Sequence, residues 1–119
     1  MSTRRVLVTG ATGYIATLLL PALRERYALT LIDVKNIDRQ GHVVDDVELL
    51  DLLDDRNDRL AELCTGVDTI VHCGFRRPTE PATYAAERAN VDMTARIFDA
   101  AAATNVRLRL VGARPLSTE

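Results

Sequence analysis

Three small residues spaced three apart, Gly10, Gly13 and Ala16, follow an apolar β-branched run at residues 6–8, and an apolar-periodic segment begins directly after Gly13. The order strand, glycine turn, helix brings backbone N–H groups and the positive end of a helix dipole to one point, which suits an anion. The anion in such turns is most often a dinucleotide pyrophosphate. We expect Gly10 to permit the sharp turn and Gly13 to let the backbone approach the phosphates.

A second apolar run, residues 29–32, ends in an acid, Asp33, twenty residues after Gly13. Dinucleotide-binding folds place at this distance a carboxylate that hydrogen-bonds the adenosine ribose. Glycines also serve ordinary turns, so the acid is what favours the dinucleotide over a plain strand-to-helix connection. Because a carboxylate repels a 2′-phosphate, Asp33 predicts NAD rather than NADP, although Lys35 is near enough to weaken the preference.

Residues 9–16 (T-G-A-T-G-Y-I-A), Asp33 and residues 66–74 (G-V-D-T-I-V-H-C-G) resemble the extended short-chain dehydrogenase/reductases. This is the NAD-dependent epimerase/dehydratase family, and the short loops resemble its uronate dehydrogenase-like members. The resemblance runs to about Asn105. It implies a Rossmann-type fold, NAD as cofactor, and an oxidoreductase or epimerase that acts on a sugar or sugar nucleotide.

The resemblance also implies roles for individual residues. In this family an acid and the residue after it, following the third strand, lie against the adenine, and an asparagine in a long helix supports the active-site geometry. Carried over to this sequence, the cofactor-binding residues are Gly10, Thr12, Gly13, Tyr14, Ile15, Asp33, Asp46, Val47, Cys73 and Gly74, with Asn90 as the supporting asparagine.

Two other features invite a chemical interpretation and have a plainer one. Histidine as a residue type titrates near neutral pH, which makes His72 a candidate for catalysis, but its place inside an apolar strand favours a supporting role in packing. Arg76 and Arg77 could meet a substrate carboxylate or phosphate, whereas adjacent arginines are more often solvated.

No catalytic residue is predicted. In the resembled family the tyrosine of a Tyr-x-x-x-Lys helix moves the proton, and the lysine lowers its pKa. None of Tyr14, Tyr27 and Tyr84 has a lysine four residues later, and Lys35 is the only lysine. The sequence resembles the family truncated before that helix: a fragment, a natural short form, or a chain whose tail is altered after about Asn105.

We therefore expect NAD binding without turnover. The alternatives are a non-catalytic nucleotide-binding or interaction module and a methyltransferase. The G-x-x-G-x-x-A spacing disfavours the methyltransferase.

The elements that must position these residues follow from the alternation of five apolar runs with helical segments. It predicts an α/β fold, a doubly wound parallel sheet of about five strands in the order 3-2-1-4-5. Helices are predicted at residues 14–26, 59–64 and 83–104, the third strand at 42–44, the fourth at 69–73 and the fifth at 107–111. The first helix is predicted to bury Ile15, Leu18, Leu19 and Ala22.

Composition sets the remaining expectations. The 119 residues, 47% hydrophobic and 4% aromatic, predict one aliphatic domain over 1–119. The resemblance implies that this domain is incomplete relative to the family. A net charge of −2 lacks the positive excess that is typical of nucleic-acid-binding domains. Cys64 and Cys73 form no metal motif, and no run is long enough to span a membrane. Without a signal-peptide pattern we expect a cytoplasmic protein, and its unprotected edge strand favours a homo-oligomer.

Overall fold

The computed structural model describes residues 3–54, 58–74, 83–106 and 110–112. They form a five-stranded sheet in the order β3-β2-β1-β4-β5, parallel at every pairing, as predicted. The strands are β1 (Arg5–Thr9), β2 (Ala28–Asp33), β3 (Val47–Leu49), β4 (Thr69–His72) and β5 (Leu110–Gly112), and the helices are α1 (Tyr14–Arg26), α2 (Arg59–Cys64) and α3 (Thr83–Ala103). Arg76 and Arg77 lie outside the described residues.

Successive strand residues point to opposite faces of the sheet, and each face carries a core. Leu7, Ile32 and Ile70 pack on one face with Met93 and Ile97 of α3. On the other face Val6, Val8, Leu31 and Val71 pack against Ala16 and Leu20 of α1. Both faces are therefore covered, as continuous apolar strands require. The carboxyl ends of all the strands are left along one edge of the sheet.

The predicted buried face of α1 is wrong. Leu18 is 63% exposed, Ile15 44% and Leu19 41%, and Ala22 is exposed. The helix instead rests on the sheet along Ala16 and Leu20. The predicted set and the observed pair are both apolar and both have helical spacing. Periodicity alone therefore did not show which side of the helix meets the strands.

The third strand also differs from the prediction. Residues 42–44 are not part of the sheet. They follow a turn at residues 39–40, and Val43 makes a single antiparallel bridge with Ile37. Asp38 stabilises this turn because its carboxylate accepts the backbone N–H groups of Gln40 and His42, each at 2.9 Å. The strand begins only at Val47, after Asp46 has turned the chain with a φ of 64°.

Candidate cofactor site

The glycine turn after β1 is fixed to both neighbouring strands. Gly10 has a φ of +65°, and a Cβ on it would lie 2.6 Å from the backbone nitrogen of Gly74. The N–H of Ala11 donates to the carbonyl of Ile32 at 3.1 Å, and the N–H of Cys73 donates to the carbonyl of Thr9 at 3.1 Å. The left-handed backbone of the turn therefore favours glycine at residue 10, as expected. The close approach of the chain after β4 also leaves no room there for a Cβ.

The N-terminus of α1 is built to receive an anion. Its N-cap is Gly13, so no side chain caps the helix, and its first turn holds no acidic residue, whereas Arg24 and Arg26 lie in its last turn. The positive end of the helix dipole therefore faces the glycine turn without a compensating charge from the first turn. The donors present suit a pyrophosphate.

Tyr14 and Ile15 begin α1 and are 57% and 44% exposed. The Arg39 guanidinium carbon lies 6.0 Å from the centroid of the Tyr14 ring, a cation–π distance. Both predicted contact residues are accordingly accessible beside the glycine turn, and Arg39 brings a positive charge to the same end of the helix.

Thr12, in the turn after β1, lies in contact with Asp33 at the end of β2. The backbone N–H of Thr12 donates to Asp33 Oδ2 at 2.9 Å, and the Thr12 hydroxyl donates to the same oxygen at 2.7 Å. Thr12 is 1% exposed. The Thr12 side chain is therefore buried against Asp33. Of these two residues, Asp33, which is half-buried, is the one that a ligand can reach.

His72 lies between β1 and α3 and is bonded at both ring nitrogens. Its Nδ1 is 2.5 Å from Thr9 Oγ1, and its Nε2 is 3.3 Å from Thr94 Oγ1. Thr9 Oγ1 also accepts the N–H of Gly74 at 3.1 Å, and the Thr94 hydroxyl donates to the carbonyl of Asn90 at 3.0 Å. One chain of hydrogen bonds thus joins Gly74 to α3.

The directions of these bonds assign the tautomer of His72. The Thr94 hydroxyl donates its one proton to the carbonyl of Asn90, so it accepts from Nε2–H, and Nδ1 in turn accepts the proton of the Thr9 hydroxyl. The ring is 5% exposed, and its burial lowers the pKa of His72 below the ordinary 6.5 because the charged form is poorly solvated there. The ring is neutral at pH 7, in the supporting role predicted for it.

The structure places Cys73 and Gly74 directly beside the glycine turn. A Cβ on Gly74 would lie 3.3 Å from Thr9 Oγ1, so close packing occupies its inner side. Burial raises the pKa of the Cys73 thiol, which therefore stays protonated at neutral pH. Asn90 is half-buried on α3, and its backbone carbonyl accepts the hydrogen bond from Thr94 that ends this chain of hydrogen bonds.

Asp46 and Val47 are not brought to this edge of the sheet. They stand at the start of β3, and the carbonyl of the preceding Asp45 accepts a hydrogen bond from Arg24 Nη2 at 3.3 Å. Arg24 belongs to the last turn of α1, which is the end of the helix opposite the glycine turn. Their place differs from the expected one because the third strand begins five residues later than predicted.

Asp51 and Leu52 occupy the position that was predicted for Asp46 and Val47. The N–H of Leu50 donates to the carbonyl of Asp33 at 2.9 Å, so the residues after β3 lie beside the end of β2. Asp51 is exposed there, and Leu52 is 8% exposed. The signal that could have found them is the apolar pair Leu49-Leu50 just before an acid.

The described residues hold no cluster of three or more His, Cys, Asp or Glu side chains that could bind a metal ion. Within the same part of the chain, no helix is both long and apolar enough to cross a membrane.

Solved structures of known proteins share this fold. Uronate dehydrogenase from Agrobacterium tumefaciens matches with a TM-score of 0.72 and 26% identity, over 95% of this chain and 41% of its own. MoeE5 in complex with UDP-glucose and NAD matches with a TM-score of 0.75 and 26% identity, over 95% of this chain and 37% of its own. L-threonine 3-dehydrogenase from Trypanosoma brucei matches with a TM-score of 0.74 and 27% identity, over 92% of this chain and 36% of its own. This chain therefore spans about two fifths of the length of these structures.

None of the curated proteins matches this sequence. The NAD dependent epimerase/dehydratase family matches residues 6–114. The likeness thus continues past Asn105, where we expected it to end, and covers β5 as well. This chain belongs to the NAD-dependent epimerase/dehydratase family.

Proposed function

We propose that this chain binds NAD at the carboxyl edge of its sheet and is the cofactor-binding part of an oxidoreductase or epimerase that acts on a sugar or sugar nucleotide. The observation that carries the proposal is the pairing of an uncapped helix N-terminus with a carboxylate. The N-terminus of α1 offers donors to a pyrophosphate, and Asp33 stands beside it at the end of the next strand. This is the arrangement that a dinucleotide requires.

Each part of the site is assigned a part of NAD. The backbone N–H groups of Tyr14 and Ile15, at the start of α1, hold the pyrophosphate, and Asp33 accepts a hydrogen bond from the adenosine ribose. Asp51 and Leu52, beside the end of β2, take the adenine in place of Asp46 and Val47. Cys73 and Gly74 border the nicotinamide half, and Asn90 supports that side from α3. When bound, NAD supplies the hydride acceptor or donor.

The substrate class rests on the family and on the similar structures. Uronate dehydrogenase acts on a sugar acid, as its name states, and MoeE5 was solved with UDP-glucose and NAD. L-threonine 3-dehydrogenase is similar to the same degree and takes an amino acid. The uronate in the first name and the UDP-glucose in the second title are both sugar compounds that carry hydroxyl groups. A sugar hydroxyl is therefore the proposed reacting group.

Calorimetric titration of the 119-residue chain tests the proposal. We expect saturable binding of NAD, weaker binding of NADP, and no heat with S-adenosylmethionine, the cofactor of the alternative methyltransferase. Asp33→Asn should weaken NAD binding roughly ten- to hundredfold, since a hydrogen bond to a charged group contributes about 1.5–3 kcal/mol. Equal affinity of the unmutated chain for NAD and NADP would contradict the role of Asp33.

Two further variants test the adenine side with a matched control. Asp51→Asn and Asp46→Asn each remove one negative charge from an exposed position. Asparagine also tolerates the left-handed backbone of Asp46. We expect Asp51→Asn to weaken NAD binding and Asp46→Asn to leave it unchanged. The reverse result would restore the role first predicted for Asp46.

A further inference from the structure

We propose that Thr12 determines cofactor specificity by positioning Asp33, and that it does so without touching the cofactor itself. The inference rests on the proposed function, because it concerns the same NAD site. It differs from the role that the sequence predicts for Thr12, which is direct contact with the cofactor.

The geometry supports an indirect role. Thr12 is 1% exposed, and both of its donors, the backbone N–H at 2.9 Å and the hydroxyl at 2.7 Å, go to Asp33 Oδ2. The other oxygen, Oδ1, accepts the N–H of Val34 at 2.7 Å. A carboxylate oxygen offers about two acceptor directions. The two donors of Thr12 therefore fill Oδ2, and one direction on Oδ1 remains for a ribose hydroxyl.

Fixing the carboxylate has a consequence for specificity. Three hydrogen bonds would have to break before Asp33 could rotate, so its charge stays directed at the place where the ribose binds. A 2′-phosphate at this place meets a negative charge that cannot turn away. Without the Thr12 hydroxyl two of the three hydrogen bonds remain, so rotation of the carboxylate away from the phosphate costs less free energy.

The identity of residue 12 suits this role. Valine has nearly the same shape as threonine but no hydroxyl, and serine keeps the hydroxyl but lacks the methyl group. Thr12→Val therefore removes the hydrogen bond with little change in packing, whereas Thr12→Ser keeps the bond and alters the packing. Together the two variants separate positioning from a merely structural contribution.

The test is calorimetric titration of the full 119-residue chain with NAD and with NADP. We expect Thr12→Val to weaken NAD binding and to reduce the NADP-to-NAD ratio of Kd roughly three- to tenfold, the range of one hydrogen bond. Thr12→Ser should stay close to the unmutated ratio. In the Asp33→Asn background the change caused by Thr12→Val should vanish, because no carboxylate is left to position.

Every outcome bears on the proposal. A ratio that Thr12→Val leaves unchanged, or changes equally with and without Asp33, overturns it while the proposed function stands. An unmutated chain that binds neither cofactor overturns both. If circular dichroism shows that Thr12→Val does not fold, Thr12→Ala removes the same hydroxyl and is subject to the same criteria.

Discussion

At the scale of single residues, His72 connects the cofactor edge to the helix behind it. Its two ring nitrogens meet hydroxyls from β1 and α3, in residues 63 and 22 positions away in sequence. Buried polar groups that are all bonded specify one arrangement of the elements around them. The ring therefore fixes the distance between α3 and the glycine turn.

Stability should depend on pH through His72. Burial lowers its pKa in the folded state, so the unfolded chain takes up this proton first as the pH falls. The contribution to stability is complete above about pH 6.5, the ordinary pKa of histidine, and is lost as the pH falls from there toward the lower folded-state pKa. Urea unfolding between pH 5 and 8 should show this slope, and His72→Gln should flatten it.

His42 provides the control for this experiment. It is the only other histidine, and its side chain is 74% exposed. His42→Gln should keep the slope of the unmutated chain. His72→Gln should in addition lose about 1–3 kcal/mol at pH 8, because the threonine hydroxyls lose partners of the right geometry. An unchanged slope in His72→Gln would assign the pH dependence to other groups.

At the scale of elements, the glycine turn is held by contacts on both of its sides. Gly10→Ala would force an alanine to a φ of +65° and place its Cβ 2.7 Å from the carbonyl carbon and oxygen of Cys73. Gly41→Ala is the matched control, since Gly41 has a φ of +85° and open space around its added Cβ. Both variants place an alanine in a left-handed backbone conformation. Only Gly10→Ala also brings a Cβ into steric conflict with neighbouring backbone atoms.

We expect Gly41→Ala to cost about 1–2 kcal/mol, the penalty of a left-handed backbone. Gly10→Ala should cost more by ~1–3 kcal/mol, the range of overpacking, and should also abolish NAD binding because the turn must move. Urea unfolding measures the first effect and calorimetry the second. Equal destabilisation by the two substitutions would show that the turn has room to adjust.

Local sequence patterns predicted those elements that have strong patterns. The bounds of α1 and the order of the strands follow from long apolar runs and a glycine turn. The third strand was missed because it has three residues, Val47–Leu49, and is set by pairing with β2 rather than by composition. Asp38 holds the backbone of Gln40 and His42 in a turn, and this local structure replaced the strand that propensity favoured.

The candidate site divides in the same way. Gly10, Gly13 and Asp33 were identifiable because their spacing along the chain carries the signal. The direction of the Thr12 side chain was not, since hydroxyl orientation depends on the neighbouring strand. The chain of bonds through Thr9, His72 and Thr94 depends on contacts 63 and 22 residues apart, which no local pattern encodes.

At the scale of the whole molecule, the described residues bring together the parts of a candidate dinucleotide site, the N-terminus of α1 and Asp33. Oxidation of an alcohol by NAD needs a base within ~3 Å of the hydroxyl. His72 is the buried histidine nearest the edge, and both of its nitrogens are engaged by threonines. The sequence contains no Tyr-x-x-x-Lys. We therefore expect that binding and turnover can be measured separately in this chain.

We expect the 119-residue chain to bind NAD and to produce no NADH from sugars. The measurement is the absorbance of the reduced cofactor after NAD is mixed with a hexose, a uronic acid or a nucleotide sugar, at several protein concentrations. The Asp33→Asn variant serves as the control, because it lowers cofactor binding and so exposes a contaminating dehydrogenase, whose activity it would not change. NADH formation that rises with protein concentration and falls in Asp33→Asn would show that this chain holds a proton acceptor of its own. His72→Gln would then be the first variant to measure, since that ring lies nearest to Gly74, and loss of turnover with NAD affinity retained would identify it as the base.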